Sequence, residues 1–301
     1  MKIGFIGLGR MGRNMATRLL KRGHRVVAFD RSPSVTRSFS KHSRARAAHS
    51  LEHIVSLLPS PRVFWIMIPA GAPVDHVLAS LTPLLDRGDV VIDGGNSFYE
   101  DSRRRYTSLK KKRIHFLDVG TSGGLEGASS GASLTIGGDR SVFNGLKPLF
   151  RDLAAPNGFG YMGPAGAGHY VKMIHNGIEY SLLQAYGEGF EVLEKGPYSL
   201  SHADVARVWN HGGVIRSWLL ELAESAFRKD PHLNALSGVV GGGETGGWAS
   251  RTARKYGARM RSVEWALRER RRSKKTGRFS GKVIAAIRNE FGGHPVVKKR
   301  R

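Results

Sequence analysis

Two rhythms of apolar and polar residues run along this chain, and the change from one to the other divides it in two. In the first half, short apolar runs are separated by helical patterns. Lys2 to Ile6 reads as a strand, and Arg10 to Lys21 as a helix carrying Met11, Met15, Leu19 and Leu20 on one side. His24 to Phe29, Val63 to Ile68 and Asp89 to Ile92 follow as strands, with a helix over Val74 to Leu85 and a basic helix over 98–112. Ile114 to Val119 and Ser133 to Ile136 complete the set. Strands alternating with helices in this way predict an α/β domain built on a doubly wound sheet. From Gly166 onward only helical periodicity remains, over 166–195, 202–211, 214–227, 248–272 with a break near Gly257, and 280–290. The expected organisation is therefore an α/β domain over 1–165 and an all-α domain over 166–301. A chain of 301 residues can bury both cores.

Between the first strand and first helix lies Gly7-Leu8-Gly9-Arg10-Met11-Gly12, and Asp30 closes the second strand 18 residues after the last glycine. Strand, G-x-G-x-x-G, helix, strand and acid form the fingerprint of a Rossmann-type dinucleotide site. The glycines permit a tight turn and bring the backbone up to a pyrophosphate, which rests on unpaired amides at the helix N-terminus. Asp30 suits both ribose hydroxyls and repels a 2′-phosphate, which favours NAD. The adjacent Arg31 can hold a 2′-phosphate, so NADP remains possible.

Three further strand ends carry small or hydrogen-bonding residues: Pro69 to Pro73, Asp93 to Ser97, and Gly120 to Gly124 with a glycine loop reaching Gly131. Each alone is ordinary turn chemistry. Together they lie at the strand carboxyl ends, where open α/β sheets bind ligands. The stretch from Gly163 to Tyr180 then opens a helix whose spacing puts Lys172, His175, Asn176 and Glu179 on one face. Lys172 and Glu179 are two turns apart, about 10.5 Å along the axis. That face either brackets a small molecule or is a solvated polar stripe; spacing alone leaves both open. The segment 238–247 is glycine-rich, as a flexible loop or a close backbone approach would require.

Composition narrows the classes. A hydrophobic share of 40% with five tryptophans marks a folded chain. No apolar run reaches about 18 residues, so no membrane span is expected. The N-terminus enters a strand at once, without a leader pattern. With no cysteine there are no disulfides, thiolate metal sites or thiol nucleophiles, and a cytoplasmic location is expected. No metal-ligand spacing stands out among the 12 histidines, so no metal is expected. The net charge is +24, and residues 251–301 supply +15 of it from 18 Lys/Arg and 3 Asp/Glu. Such a tail binds nucleic acid, steers an anionic metabolite, or is merely solvated.

The segments GLGRMG at 7–12, IMIPAG at 66–71, IDGGNS at 92–97, DVGTSGG at 118–124, GAGHYVKMIHNGIEY at 166–180 and RNEFGGH at 288–294 resemble the decarboxylating 6-phosphogluconate dehydrogenases, in the short form with a smaller helical domain. The related β-hydroxyacid dehydrogenases share the glycine fingerprint, the serine-glycine-glycine loop and the helix lysine. They are not expected to combine IDGGNS with HNGIEY. The resemblance implies oxidative decarboxylation of 6-phosphogluconate to ribulose 5-phosphate, in the pentose phosphate pathway, with NAD or NADP reduced. It makes Lys172 and Glu179 catalytic. It gives Gly7, Gly9, Arg10, Met11, Gly12, Asp30, Arg31, Pro69, Ala70 and Asn96 to the cofactor. Asn96, Ser122, Gly123, Gly124, His175, Asn176 and Tyr180 then contact substrate. Arg288 and His294 would reach the substrate of a neighbouring subunit in a homodimer or homotetramer with shared sites. Arg251 offers the nearest further cation for the phosphate. Chemically, Lys172 must be neutral to take the hydroxyl proton. Glu179 then protonates C1 of the enediol left by carbon dioxide. Two other readings compete: a dehydrogenase of an unphosphorylated β-hydroxy acid, and a nucleic-acid-binding protein on a dehydrogenase scaffold.

Overall fold

A computed structural model describes residues 1–299, which divide into two compact units, Met1–Met173 and Ile174 onward. In the first unit eight strands form one sheet: β1 (Lys2–Ile6), β2 (Arg25–Phe29), β3 (Ala45–Ala47), β4 (Val63–Ile66), β5 (Val90–Asp93), β6 (His115–Ser122), β7 (Ala132–Gly138) and β8 (Ala154–Gly163). Their order is β3-β2-β1-β4-β5-β6-β7-β8, and every pair is parallel except β6 with β7. The strand order reverses beside β1, where β2 lies on one side and β4 on the other. That reversal opens a crevice at the carboxyl ends of the strands.

The central strands are apolar on both faces because both are covered. On one side Phe5 and Trp65 stack at 6.3 Å under Met15 and Leu19 of α1 (Arg10–Lys21) and Phe150 of α8 (Lys147–Leu153). On the other, Ile6, Phe64 and Val91 meet Leu78 of α4 (Ala72–Leu81) and Leu109 of α5 (Tyr99–Lys111). Several elements were not foreseen by periodicity: α2 (Pro33–Phe39), β3, α3 (Leu51–Ser56), α7 (Arg140–Gly145), α8 and β8. They are short or polar, and α3 owes its start to Ser50, whose hydroxyl accepts from His53 N–H at 3.1 Å. Strand β4 stops at Ile66 rather than Ile68, and the glycine loop after β6 contains α6 (Gly124–Ser130).

The second unit is helical: most of α9 (Ala167–Lys195), then α10 (His202–Asn210), α11 (Trp218–Lys229), α12 (Glu244–Lys255), α13 (Arg261–Thr276) and α14 (Phe279–Gly292). Leu183, Phe190, Leu220, Phe227, Val283 and Ile287 centre its core. Ser201 and Ser217 cap α10 and α11, a bond worth about 1 kcal/mol at each site. Gly257, at φ +73°, makes the expected break between α12 and α13. The division falls inside α9 because its first two turns are bonded to the sheet. Gly166 N–H and His169 N–H donate to Asp118 at 2.7 and 2.8 Å, and Thr135 Oγ1 donates to Gly168 O at 2.9 Å. Among the described residues no helix is long and apolar enough to cross a membrane.

Candidate active site

The glycine turn after β1 is a cradle. Gly9 caps α1, and a Cβ placed on it would meet nothing within 4 Å, while one on Gly12 would lie 2.1 Å from Gly7 O. The helix N-terminus thus packs onto the turn, the position at which a pyrophosphate is held in such folds. Asp30, at the tip of β2, accepts from Leu8 N–H and Ser32 N–H, both at 2.8 Å, so the acid is anchored to the cradle. Arg10 and Arg31 are exposed beside it, and Pro69 and Ala70 follow β4. This donor set fits NAD.

A buried ion network shapes the next loop. Asp93, at the end of β5, accepts from Gly95 N–H (3.2 Å), Ser97 Oγ (2.8 Å) and the Arg105 guanidinium (3.1 Å). Arg105 is 2% exposed and also donates to Asp75 at 2.8 Å and Gly71 O at 3.0 Å. The loop so fixed leaves Asn96 exposed. Asp93 opens one of the strand-end loops singled out in sequence, but Arg105 did not stand out, being one of several cations on a basic helix.

Lys172 is 9% exposed, and its Nζ donates to Ser122 Oγ at 2.5 Å. Ser122 ends β6, and Gly123 and Gly124 follow with φ of +112° and +59°. A Cβ on Gly120 would lie 2.3 Å from that of Lys172, so the helix reaches the strand only because that position is glycine. One turn earlier, buried His169 links to Gly95 O at 3.1 Å and Ser102 Oγ at 2.7 Å. It therefore ties the Asn96 loop to the lysine's own helix. Burial pushes the Asp118 carboxyl above its ordinary range, opposed by His169 and the two amides it holds.

In the helical unit, α9 continues with His175, exposed and 3.2 Å from Asn176 Oδ1, then Glu179, half-buried, and Tyr180, buried. The Arg270 guanidinium lies over the Tyr180 ring at 3.8 Å from its centroid, and the phenol meets Thr245 Oγ1 at 3.2 Å. Arg270 and Arg288 are 5% and 9% exposed. Burial lowers both guanidinium pKa values; Tyr180 and Glu179 oppose it, and the Arg288 charge adds to it at Arg270. Two buried guanidiniums side by side suit a bound dianion. The glycine-rich segment wraps this group: a Cβ on Gly242 would be 3.2 Å from Arg288, and one on Gly246 2.5 Å from the Tyr180 ring.

Two placements bear on the expected phosphate contacts. Arg288 lies within electrostatic reach of Tyr180 and Glu179 of its own chain. Arg251 is exposed, and the cation beside Tyr180 is instead Arg270. Arg270 was missed inside RERRRS, yet a signal existed: Val263, Ala266, Arg270 and Ser273 recur at helical spacing and form the buried face of α13. His294 lies just past α14, edge-on to Phe291 at 5.6 Å.

Residues 2–171 match the family described as the NAD binding domain of 6-phosphogluconate dehydrogenase, and residues 168–286 match 6-phosphogluconate dehydrogenase, C-terminal domain. A Haloferax volcanii protein, 6-phosphogluconate dehydrogenase, NAD(+)-dependent, decarboxylating, is 45% identical over 99% of this chain and 99% of its own. A Bacillus subtilis protein of the same description is 39% identical over 83% of this chain but only 57% of its own length. The solved Plasmodium falciparum 6-phosphogluconate dehydrogenase superposes with a TM-score of 0.83 at 29% identity, covering 91% of this chain and 62% of that one. With both family domains matched in order, and a relative of equal length at 45% identity, the chain belongs to the 6-phosphogluconate dehydrogenase family, as a member about the size of the haloarchaeal protein.

Proposed function

We propose that the chain oxidises 6-phosphogluconate at C3, releases carbon dioxide and yields ribulose 5-phosphate, with NAD as the cofactor. The observation that carries this reading is one helix bearing a buried lysine on Ser122 and, two turns on, Glu179 beside the Tyr180–Arg270–Arg288 group. Arg270, Arg288 and Tyr180 hold the phosphate, and Asn96, Ser122, Gly123, Gly124, His175 and Asn176 orient the sugar acid. Neutral Lys172 takes the hydroxyl proton. Bound NAD supplies the hydride acceptor. The resulting 3-keto acid loses carbon dioxide as the carbonyl receives the electron pair, and protonated Lys172 stabilises the enolate oxygen. Glu179 delivers the proton to C1. Asp30 favours NAD over NADP. The relative of equal length is described as NAD(+)-dependent, while the Plasmodium enzyme was solved with NADP+. The same reading has the enzyme acting in the cytoplasm as a homodimer or homotetramer, as its family resemblance implies.

The test is purified protein with 6-phosphogluconate and either NAD or NADP, following reduced nicotinamide and carbon dioxide together. Equimolar formation of both is expected, with higher kcat/KM for NAD. Nicotinamide reduction without carbon dioxide, or preference for an unphosphorylated β-hydroxy acid, overturns the reading.

A further inference from the structure

Far along the chain from the residues just described, Glu194, His202 and His232 converge. Glu194 lies in the last turn of α9, His202 is the first residue of α10, and His232 follows α11. Their ligand atoms all lie within 4.8 Å of one another. Glu194 is 3.5 Å from His202 Nε2 and 3.3 Å from His232 Nδ1. The first is beyond a good hydrogen bond and the second is long for one. A four-coordinate zinc with bonds of about 2.0–2.1 Å has donor–donor edges of about 3.3–3.4 Å, which both separations approach.

A second observation points the same way. His202 is 4% exposed, and its Nε2 is buried with no hydrogen-bond partner. Its ring is set among Phe190, Phe227 and Phe279, with centroids at 5.1–5.9 Å. A buried polar atom without a hydrogen bond is unfavourable, and this one faces a carboxylate and a second imidazole. A cavity of about 320 Å³ opens beside it, lined by Ser201, His202, Phe227, Arg228 and His232 among others. Arg228 lines it too, but its guanidinium is held by Glu224 at 2.7 Å.

We propose that Glu194, His202 and His232 bind one transition-metal dication of the zinc class, as a structural clamp within the helical unit. Two imidazoles and one carboxylate are borderline donors suited to Zn²⁺ and its neighbours, rather than to Mg²⁺ or Ca²⁺. A water completes four-coordination from the cavity side. The ion ties the end of α9, the start of α10 and the turn after α11, which bracket the exposed loop at 196–201. The ligands are 8 and 30 residues apart, so no local spacing marks them.

The experiment uses full-length, tag-free protein stripped with a chelator and dialysed against micromolar ZnCl₂. Bound metal is counted by atomic emission, affinity by calorimetry and stability by the thermal midpoint. One zinc per chain and a higher midpoint are expected, and Co²⁺ in its place should give the intense visible bands of a four-coordinate site. His202→Ala is expected to disturb the aromatic core, so the decisive variants are Glu194→Gln and His232→Ala, at half-exposed and exposed positions. Each should weaken zinc by about 100-fold or more and abolish the midpoint shift. A His49→Ala/His53→Ala variant, which removes the other close histidine pair (5.1 Å), should bind as wild type. Absence of binding up to about 100 μM zinc would mean that water alone serves His202, and would overturn the proposal. So would stoichiometric zinc that survives both decisive variants, or that is lost with His49 and His53.

Discussion

At the scale of single residues, the proposed chemistry rests on Lys172 and on the cations beside Tyr180. Lys172→Met keeps the volume of the stem and removes the base. Its kcat should fall by about 10²–10⁴-fold, with NAD affinity, read by fluorescence titration, near wild type because the cradle at Gly7 to Gly12 is untouched. More than about a tenth of wild-type turnover would sink the assignment. Arg270→Ala removes a charge-assisted contact worth about 1.5–3 kcal/mol, so KM for 6-phosphogluconate should rise roughly 10–100-fold. Arg270→Lys should recover little, since an ammonium cannot reproduce a planar fork stacked on a ring. An unchanged KM in the alanine variant would remove Arg270 from the phosphate site.

Elements are positioned by buried polar ties as much as by apolar packing. Arg105 on α5 joins Asp93, Asp75 and the Gly71 carbonyl, and is the pin of the loop that carries Asn96. Arg105→Met should cost about 3–5 kcal/mol in urea unfolding, because it strands Asp93 in the interior. A loss below 1 kcal/mol would mean that the network relaxes around the gap. Ties of this kind set the limit of what was legible in sequence. The sheet and long helices were visible because periodicity records which side faces the core; helical spacing put Lys172 and Glu179 on one face, and the family resemblance supplied their expected roles. Arg105, Asp118 and His169 were not visible, because their partners are 8 to 74 residues away and no local pattern encodes such pairings. The short elements α2, α3 and α7 escaped for another reason: six or seven residues are too few to establish a period.

For the whole molecule, the proposal that Arg288 serves the Tyr180 and Glu179 of its own chain, within whose electrostatic reach it lies, has an assembly consequence. Co-assembling Lys172→Met subunits with Arg288→Ala subunits should leave the mixture as inactive as its parents. Recovery towards about a quarter of wild type, the yield of random pairing with shared sites, would show that the arginine serves its neighbour after all. A last consequence follows from α9, which runs unbroken from Ala167 to Lys195 through the division after Met173. The two units are not cassettes joined by a spacer. One residue gained or lost between Lys172 and Glu179 would swing the glutamate by about 100° around the helix. Genetic exchange with a relative can therefore yield an active chimera at this junction only if the crossover preserves length to the residue, whatever side chains it trades.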